Sequence, residues 1–266
     1  MSAPPFRPAP PAGPSTRVPP HPAFGAGNGE PYLRLLAGQD LMPGLTLRGA
    51  DGVAHRLDAG SWVRPAGDAD LDVLDRVAGP VLDVGCGPGR MLHAAASRSL
   101  PALGIDVAPH AVARARLAGG LALHRSVFDR LPLEGRWQTV LLMDGNIGIG
   151  GDPSALLRRC AELAHERGSV VIEADPDPEL AIVGECIVVD DEGCESSPFP
   201  WARVGWSAIR TVAADAGLAV AEHWDASGRH FVRVARSARR TRVRDVRSAS
   251  AATQSTTVHT IASARP

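Results

Sequence analysis

From residue 68 onward, short apolar runs alternate with Ala- and Leu-rich stretches whose apolar positions recur at helical spacing. Such alternation is the pattern of a mostly parallel sheet with helices on its faces. "DADLDVLDRVAG" (68–79) is predicted as an amphipathic helix stopped by Gly79, and "PVLDVG" as the first strand. "GRMLHAAASRS" reads as a helix, "ALGID" as a strand, and "PHAVARARLAGG" as a helix that starts at Pro109 and ends in glycines. "LALHRSVF" and "QTVLLM" are the third and fourth strands, "PSALLRRCAELAHERG" (153–168) a helix, and "SVVIEA" the fifth strand. After an interruption from Pro176 to Gly205 come a helix, "WSAIRTVAADAG", and two strands, "LAVAEHWD" and "HFVRVA", joined by "ASG". Only this last connection is short enough for a hairpin. The expected fold is therefore α/β, a doubly wound, mostly parallel seven-stranded sheet with an antiparallel last strand.

Composition sets the limits of that domain. Residues 1–30 are Pro-rich and residues 236–266 are rich in Arg, Ser, Ala and Thr, and both are expected to be disordered tails around a domain spanning 31–235. With +6 in residues 235–266 and +1 in residues 1–30 against a total of −1, the middle of the chain carries −8. A basic surface for nucleic acid is thus not expected, apart from nonspecific contact by the C-terminal tail. No window approaches eighteen apolar residues and no charged-then-apolar leader is present, so the expected compartment is the cytoplasm and no membrane is implied. Cys86, Cys160, Cys186 and Cys194 form no C-x-x-C pair and no metal-ligand spacing with histidine. Cys186 and Cys194 could bridge a hairpin, but free thiols suit a cytoplasmic chain better. All 28 basic residues are Arg. That excludes a P-loop lysine and Schiff-base chemistry.

Open α/β sheets bind ligands at the carboxyl ends of their strands. At the end of the first strand stands "VLDVGCGPGR", with Gly85, Gly87 and Gly89 in a turn that leads into a helix N-terminus, and Asp83 two residues before it. The dinucleotide fingerprint requires its third glycine at position 90, which is Arg90. Asp106 ends the second strand, at about the distance where an acid reaches ribose hydroxyls. An adenosine-type cofactor is the expected ligand.

"PVLDVGCGPGR" with "ALGIDVAP" resembles motif I and the following acidic strand end of class I S-adenosylmethionine-dependent methyltransferases, over roughly residues 60–236. The resemblance implies S-adenosylmethionine as cofactor and the same seven-stranded fold. It places Gly85, Gly87 and Gly89 at the methionine part, Asp83 near its amino group, and Asp106 with the adjoining Val107 at the ribose. In "SVFDRLP", Asp129 is implied at the adenine amino group, with Val127 or Phe128 covering the ring. "GRWQTVLLMDGNIGIGGDP" with "FPWARVG" looks, more narrowly, like a group of actinobacterial methyltransferases.

The tract "DGNIGIGGDP" (144–153) follows the fourth strand, next to the first. Asp152 and Pro153 read as an N-cap and first-turn proline. Asp144 and Asn146 are candidates to orient the nucleophile and hold its proton, or else an Asx-turn pair satisfying its own backbone. The tract lacks a (D/N)-P-P-Y pattern, which turns the expectation from nucleic-acid bases to a small-molecule acceptor. Residues 176–205 are the candidate lid. There Phe199, Trp201 and Trp206 are expected either to wall an acceptor pocket or to pack the core, with Arg203 binding an anionic group. The segment from Tyr32 to Trp62 is a second candidate cover, and His110 and His230 read as surface or packing residues. Methyl transfer is an in-line displacement that needs no metal. A nicotinamide-dependent oxidoreductase and a noncatalytic binding protein on the same fold are the alternatives. The misplaced third glycine and the lack of a Tyr-x-x-x-Lys pair count against the first of these.

Overall fold

The computed structural model describes residues 23–25, 31–37 and 44–237. Apart from residues 23–25, 236 and 237, the two expected tails lie outside the described residues. The chain begins with α1 (Pro31–Ala37), β1 (Leu45–Gly49), β2 (Ala54–Leu57) and α2 (Ala59–Val63). Then follow α3 (Asp68–Asp75), β3 (Val81–Val84), α4 (Arg90–Ser97), β4 (Ala102–Asp106), α5 (Pro109–Leu117), β5 (Ala122–His124) and β6 (Trp137–Leu142). A kinked 3₁₀ segment over Asn146–Gly151 leads to α6 (Pro153–Leu163) and β7 (Ala164–Ala174). The chain continues through β8 (Ala181–Asp190), β9 (Phe199–Val204), α7 (Ile209–Asp215), β10 (Leu218–Ala226) and β11 (Arg229–Arg236).

The expected sheet is present. Its order is β10-β11-β7-β6-β3-β4-β5, with β11 antiparallel to both neighbours and the central strands parallel. Residues of β3 are buried on both faces because helices cover both, which is why its sequence reads as a continuous run rather than an alternation. One core layer joins Leu82, Val140 and Val232 to α6 and α7, and another joins Val81, Leu141 and Phe231 to α3 and α4. α6 starts as expected, with the Asp152 carboxylate accepting from Ala155 N at 2.9 Å and Pro153 in the first turn. None of the helices is long and apolar enough to cross a membrane, among the described residues.

Three boundaries differ from the sequence reading. The helix predicted over 153–168 ends at Leu163, where Gly135 N takes the Leu163 carbonyl at 2.9 Å and Ala164 turns extended to pair with Trp137. The third strand shrinks to β5, because Ser126 N donates to the Asp129 carboxylate and folds 126–129 into a turn. The helix expected from Trp206 begins at Ile209, since Ser207 N and Ala208 N are engaged by the Pro178 carbonyl. Cys186 and Cys194 are not joined by a disulfide.

A second sheet was not expected. It runs β2-β1-β8-β9, antiparallel throughout, and joins the segment before the first predicted helix to the supposed interruption. Its apolar face (Leu45, Leu47, Val188, Phe199) packs with Tyr32, Leu35 and Leu36 of α1. It is tied to the main sheet where Asp175 N donates to Val204 O at 2.9 Å. It also presses on the 3₁₀ segment. A Cβ at Gly148 would sit 2.6 Å from Trp201 Cε2 and collide with the Ala202 carbonyl, and one at Gly151 would sit 2.9 Å from Pro200. The glycines of the tract therefore let β9 lie against the switch point of the main sheet. Replacing Gly148 with Val is expected to lift β9 and to cost about 1–3 kcal/mol of overpacking strain, read as a lower urea midpoint.

Candidate active site

A cavity of about 1110 Å³ opens at the carboxyl ends of the parallel strands, between them and the inner face of the second sheet. Single small-molecule sites usually occupy about 300–1,000 Å³, so this one has room for two ligands.

One half is built from the glycine turn. Gly85 N and Cys86 N donate to the Ile105 carbonyl at 2.8 and 3.0 Å, and the Asp106 carboxylate accepts from Gly87 N and Ala108 N, both at 2.8 Å. The turn and the end of β4 are thus locked together, and Asp106 itself lines the cavity. Gly85 adopts φ +72°, and a Cβ there would lie 2.5 Å from the Asn146 amide. Asp83 is buried at the end of β3 and lines the same space. Burial and the neighbouring Asp144 carboxylate push its carboxyl up to about 7, against the pull of Arg90. Burial likewise raises Asp106, opposed by the amides of Ala108 and Gly87. Val107, Phe128 and Asp129 line this half too, Phe128 half-exposed and Asp129 accepting from Ser126 N. Gly89 does not line the cavity. It caps α4, and a Cβ there would meet Ala115 of α5 at 3.0 Å.

The floor is a charge network that the sequence reading missed. Arg90, 8% exposed, donates to both Asp144 oxygens at 2.9 and 2.7 Å and reaches Asp70 at 3.3 Å. Arg229, at the start of β11, donates to Asp70 at 2.7 Å and to Glu173 at 2.7 and 2.5 Å, and approaches Asp144 at 3.5 Å. Glu173 in turn accepts from Asp144 N at 2.6 Å. Two guanidiniums face three carboxylates, and burial with the Glu173 charge lifts the Asp144 carboxyl to about 6. The signals were present in the sequence. Arg90 stands in the first turn of a helix, where the dipole disfavours a cation, and Glu173 interrupts a buried apolar strand. Each position implies a partner of opposite charge.

Asp144 and Asn146, the expected proton-handling pair, are both engaged. Asp144 is held by Arg90 at positive φ, and the Asn146 amide donates to the Val84 and Gly85 carbonyls at 2.9 and 3.1 Å. Asn146 is a clamp on the glycine turn with only its carbonyl oxygen to spare.

The other half is aromatic. Phe24 lies 5.1–5.9 Å from Tyr32, Trp62, Phe199 and Trp201, ring centre to ring centre. Tyr32, Trp62 and Trp201 line the cavity, whereas Phe199 is buried behind them and Trp206 stacks on His223 at 4.4 Å. Tyr32 and Trp62, at the two ends of the segment named as a second candidate cover, thus both border the cavity. Arg203 also lines the cavity, but its guanidinium is bound to Asp175 at 3.0 and 2.5 Å rather than left open for an anion. His110 is exposed on α5. His230 stacks with His223 and Trp206, its buried Nδ1 without a hydrogen bond. No group of three or more metal-type ligands occurs among the described residues.

Comparison with known proteins follows the same lines. A family model described as a methyltransferase domain matches residues 81–168, from β3 into β7. The structure is similar to a SAM-dependent methyltransferase from Bacteroides fragilis solved with S-adenosyl-L-homocysteine, with TM-score 0.64 and 17% identity over 78% of this chain and 93% of that one. It is also similar to the CcbJ methyltransferase from Streptomyces caelestis, with TM-score 0.51 and 17% identity over 66% and 92% of the two chains. Comparison of the sequence with curated proteins finds no match.

Two outcomes are expected of the network and its neighbour. Arg90→Met leaves Asp70 and Asp144 short of a guanidinium in a buried site, and should cost about 3–5 kcal/mol in urea denaturation. Asp83, near 3.8 when unfolded and about 7 when folded, holds a proton in the native state that the unfolded chain has released. That contribution is full below about pH 4 and is lost as pH rises through 7, on the order of 4 kcal/mol. Unfolding free energies of wild type and Asp83→Asn, compared across pH 4–8, should show the steeper decline in the wild type, the variant keeping only the smaller decline that the raised carboxyls of Asp144 and Asp106 contribute.

Proposed function

We propose that this chain, an S-adenosylmethionine-dependent methyltransferase by its fold and its methyltransferase domain, methylates a small-molecule acceptor held beneath the second sheet. The observation that carries this reading is the convergence of Asp83, the Gly85–Gly87 turn and Asp106 on one half of a cavity whose other half is walled by aromatic rings.

The residues present fit the cofactor. Two carboxylates at the ends of adjacent strands and a turn without side chains leave space and acceptors for a cationic amino acid joined to a nucleoside. Asp106 with Val107 would take the ribose, Asp83 would face the ammonium group, and Val127, Phe128 and Asp129 would border the adenine. When bound, S-adenosylmethionine supplies a methyl group on a sulfonium that is its own leaving group. The chain's task is alignment and exclusion of water. Asn146 fixes the glycine turn, Arg90 and Arg229 hold Asp144 and Glu173 in place below the acceptor, and β9 with the aromatic cluster closes the roof. Strand order speaks against the nicotinamide alternative. β11 is antiparallel and inserted between β7 and β10, whereas dinucleotide-binding sheets continue in parallel order. Position 90, where the fingerprint needs glycine, holds an arginine bound to Asp144. Within the class, the "DGNIGIGGDP" tract and "FPWARVG" support membership of the actinobacterial group.

Calorimetric titration with S-adenosylmethionine, S-adenosylhomocysteine and NAD is the direct test. The first two should bind and NAD should not, and Asp106→Asn should weaken binding at least ten-fold; binding of NAD alone would overturn the reading. Because an ammonium beside Asp83 favours its ionised form, cofactor binding at pH 6.5 should also release a proton. Repeating the titration in buffers of different ionisation enthalpy measures that release, which Asp83→Asn should abolish.

A further inference from the structure

The second sheet carries one polar ring into the cavity that no role yet described employs. His55 of β2 is in register with Leu47 of β1, which is opposite Val188 of β8, so the three share one face of the sheet. His55 and Leu47 line the cavity. That face is otherwise apolar where Leu45, Leu47, Val188 and Phe199 pack together, and Trp62 and Trp201 border the same chamber. The acids nearest the switch point, Asp144 and Glu173, are occupied by Arg90 and Arg229, and Asp175 is occupied by Arg203. The His55 ring makes no hydrogen bond among the described residues. Of the charged groups on the cavity wall, Arg203 of β9 and Asp175 after β7 act on His55; Asp58 after β2 and Glu185 of β8 belong to the second sheet and its flank, and Asp83, Arg90, Asp106, Arg125, Asp129, Asp144, Glu173 and Arg229 line the remainder. Burial and Arg203 lower the His55 pKa, Asp175 opposing them, which favours a neutral imidazole at physiological pH.

We propose that the aromatic chamber receives a planar, largely apolar acceptor carrying a hydroxyl group, and that His55 is the catalytic base that removes the hydroxyl proton; this rests on the methyl-transfer reading above. Flat rings at the chamber wall suit a flat ligand through offset and edge contacts. A hydroxyl is a weak nucleophile until its proton is drawn away, and a neutral imidazole is suited to that step. The acceptor oxygen forms the new bond to the methyl carbon while the carbon–sulfur bond breaks with its electron pair going to sulfur. The hydroxyl proton passes to a ring nitrogen of His55 and then to solvent.

2-Naphthol is a suitable probe. It should bind to protein saturated with S-adenosylhomocysteine in a calorimetric titration, and Trp201→Leu should weaken that binding without altering S-adenosylhomocysteine affinity. With S-adenosylmethionine, methylation of 2-naphthol should show an acidic limb below the ordinary histidine range. His55→Gln should lower kcat by about 100-fold or more and remove the limb, with S-adenosylhomocysteine affinity unchanged. Imidazole should restore turnover to His55→Ala, and His110→Gln, on the exposed face of α5, should behave as wild type. Failure of S-adenosylhomocysteine to bind would remove the methyl-transfer reading itself. If it binds while 2-naphthol is neither bound nor methylated, or if His55→Gln stays within three-fold of wild type, the assignment of acceptor and base is overturned.

Discussion

Five charged side chains from five places in the chain meet beneath the cavity, and the geometry above them depends on that meeting. Asp70 comes from α3, Arg90 from the start of α4, Asp144 from the end of β6, Glu173 from β7 and Arg229 from the start of β11. Removing any one leaves another charge in a poorly hydrated place, so each member holds the others to their positions. Through Asp144 and the backbone that follows, this restraint reaches Asn146. Through Asn146 it reaches the carbonyls of Val84 and Gly85, and so the turn where the cofactor is expected to rest. The surplus of negative charge is not waste in such a place. Together with burial, which is the larger cause, it raises the carboxyls of Asp83 and Asp144, and it makes the site receptive to a cation.

How far the sequence could be read follows from which forces are local. The parallel strands, the glycine turn, Asp106 and the Asp152–Pro153 helix start are written in contiguous residues, and they appear where the residues imply. Boundaries moved where distant partners intervened. α6 stops at Leu163 because Gly135 takes its carbonyl, and α7 starts late because Pro178 holds the preceding amides. The roof was not readable in kind, since β1 finds its partner β8 some 140 residues away in sequence. The surroundings of the candidate residues were hidden for a similar reason. Asp144 and Asn146 both line the cavity, and each is engaged there, by Arg90 and by two carbonyls that only the fold brings near. Trp201 reached the cavity wall, while Phe199 and Trp206 became packing residues.

The second sheet and the 3₁₀ segment explain each other. A glycine-rich tract at the end of β6 is costly in conformational entropy if it serves only as a turn. Here it allows β9 to approach the main sheet closely enough that Trp201 and Arg203 share a cavity with Asp83 and Asp106. Glycine content at the switch point is thus a statement about the roof above it.

Arg229 stands in the hairpin between β10 and β11, yet it completes a site whose other members lie between residues 70 and 173. During synthesis, a chain that has already made its glycine turn and most of its sheet still holds Glu173 without a guanidinium and Asp70 with that of Arg90 alone. The strand that brings Arg229 also inserts between β7 and β10, so completion of the network and closure of the sheet are one late event. A binding-competent pocket should therefore not precede the finished domain, and an incomplete chain has little means of trapping cofactor.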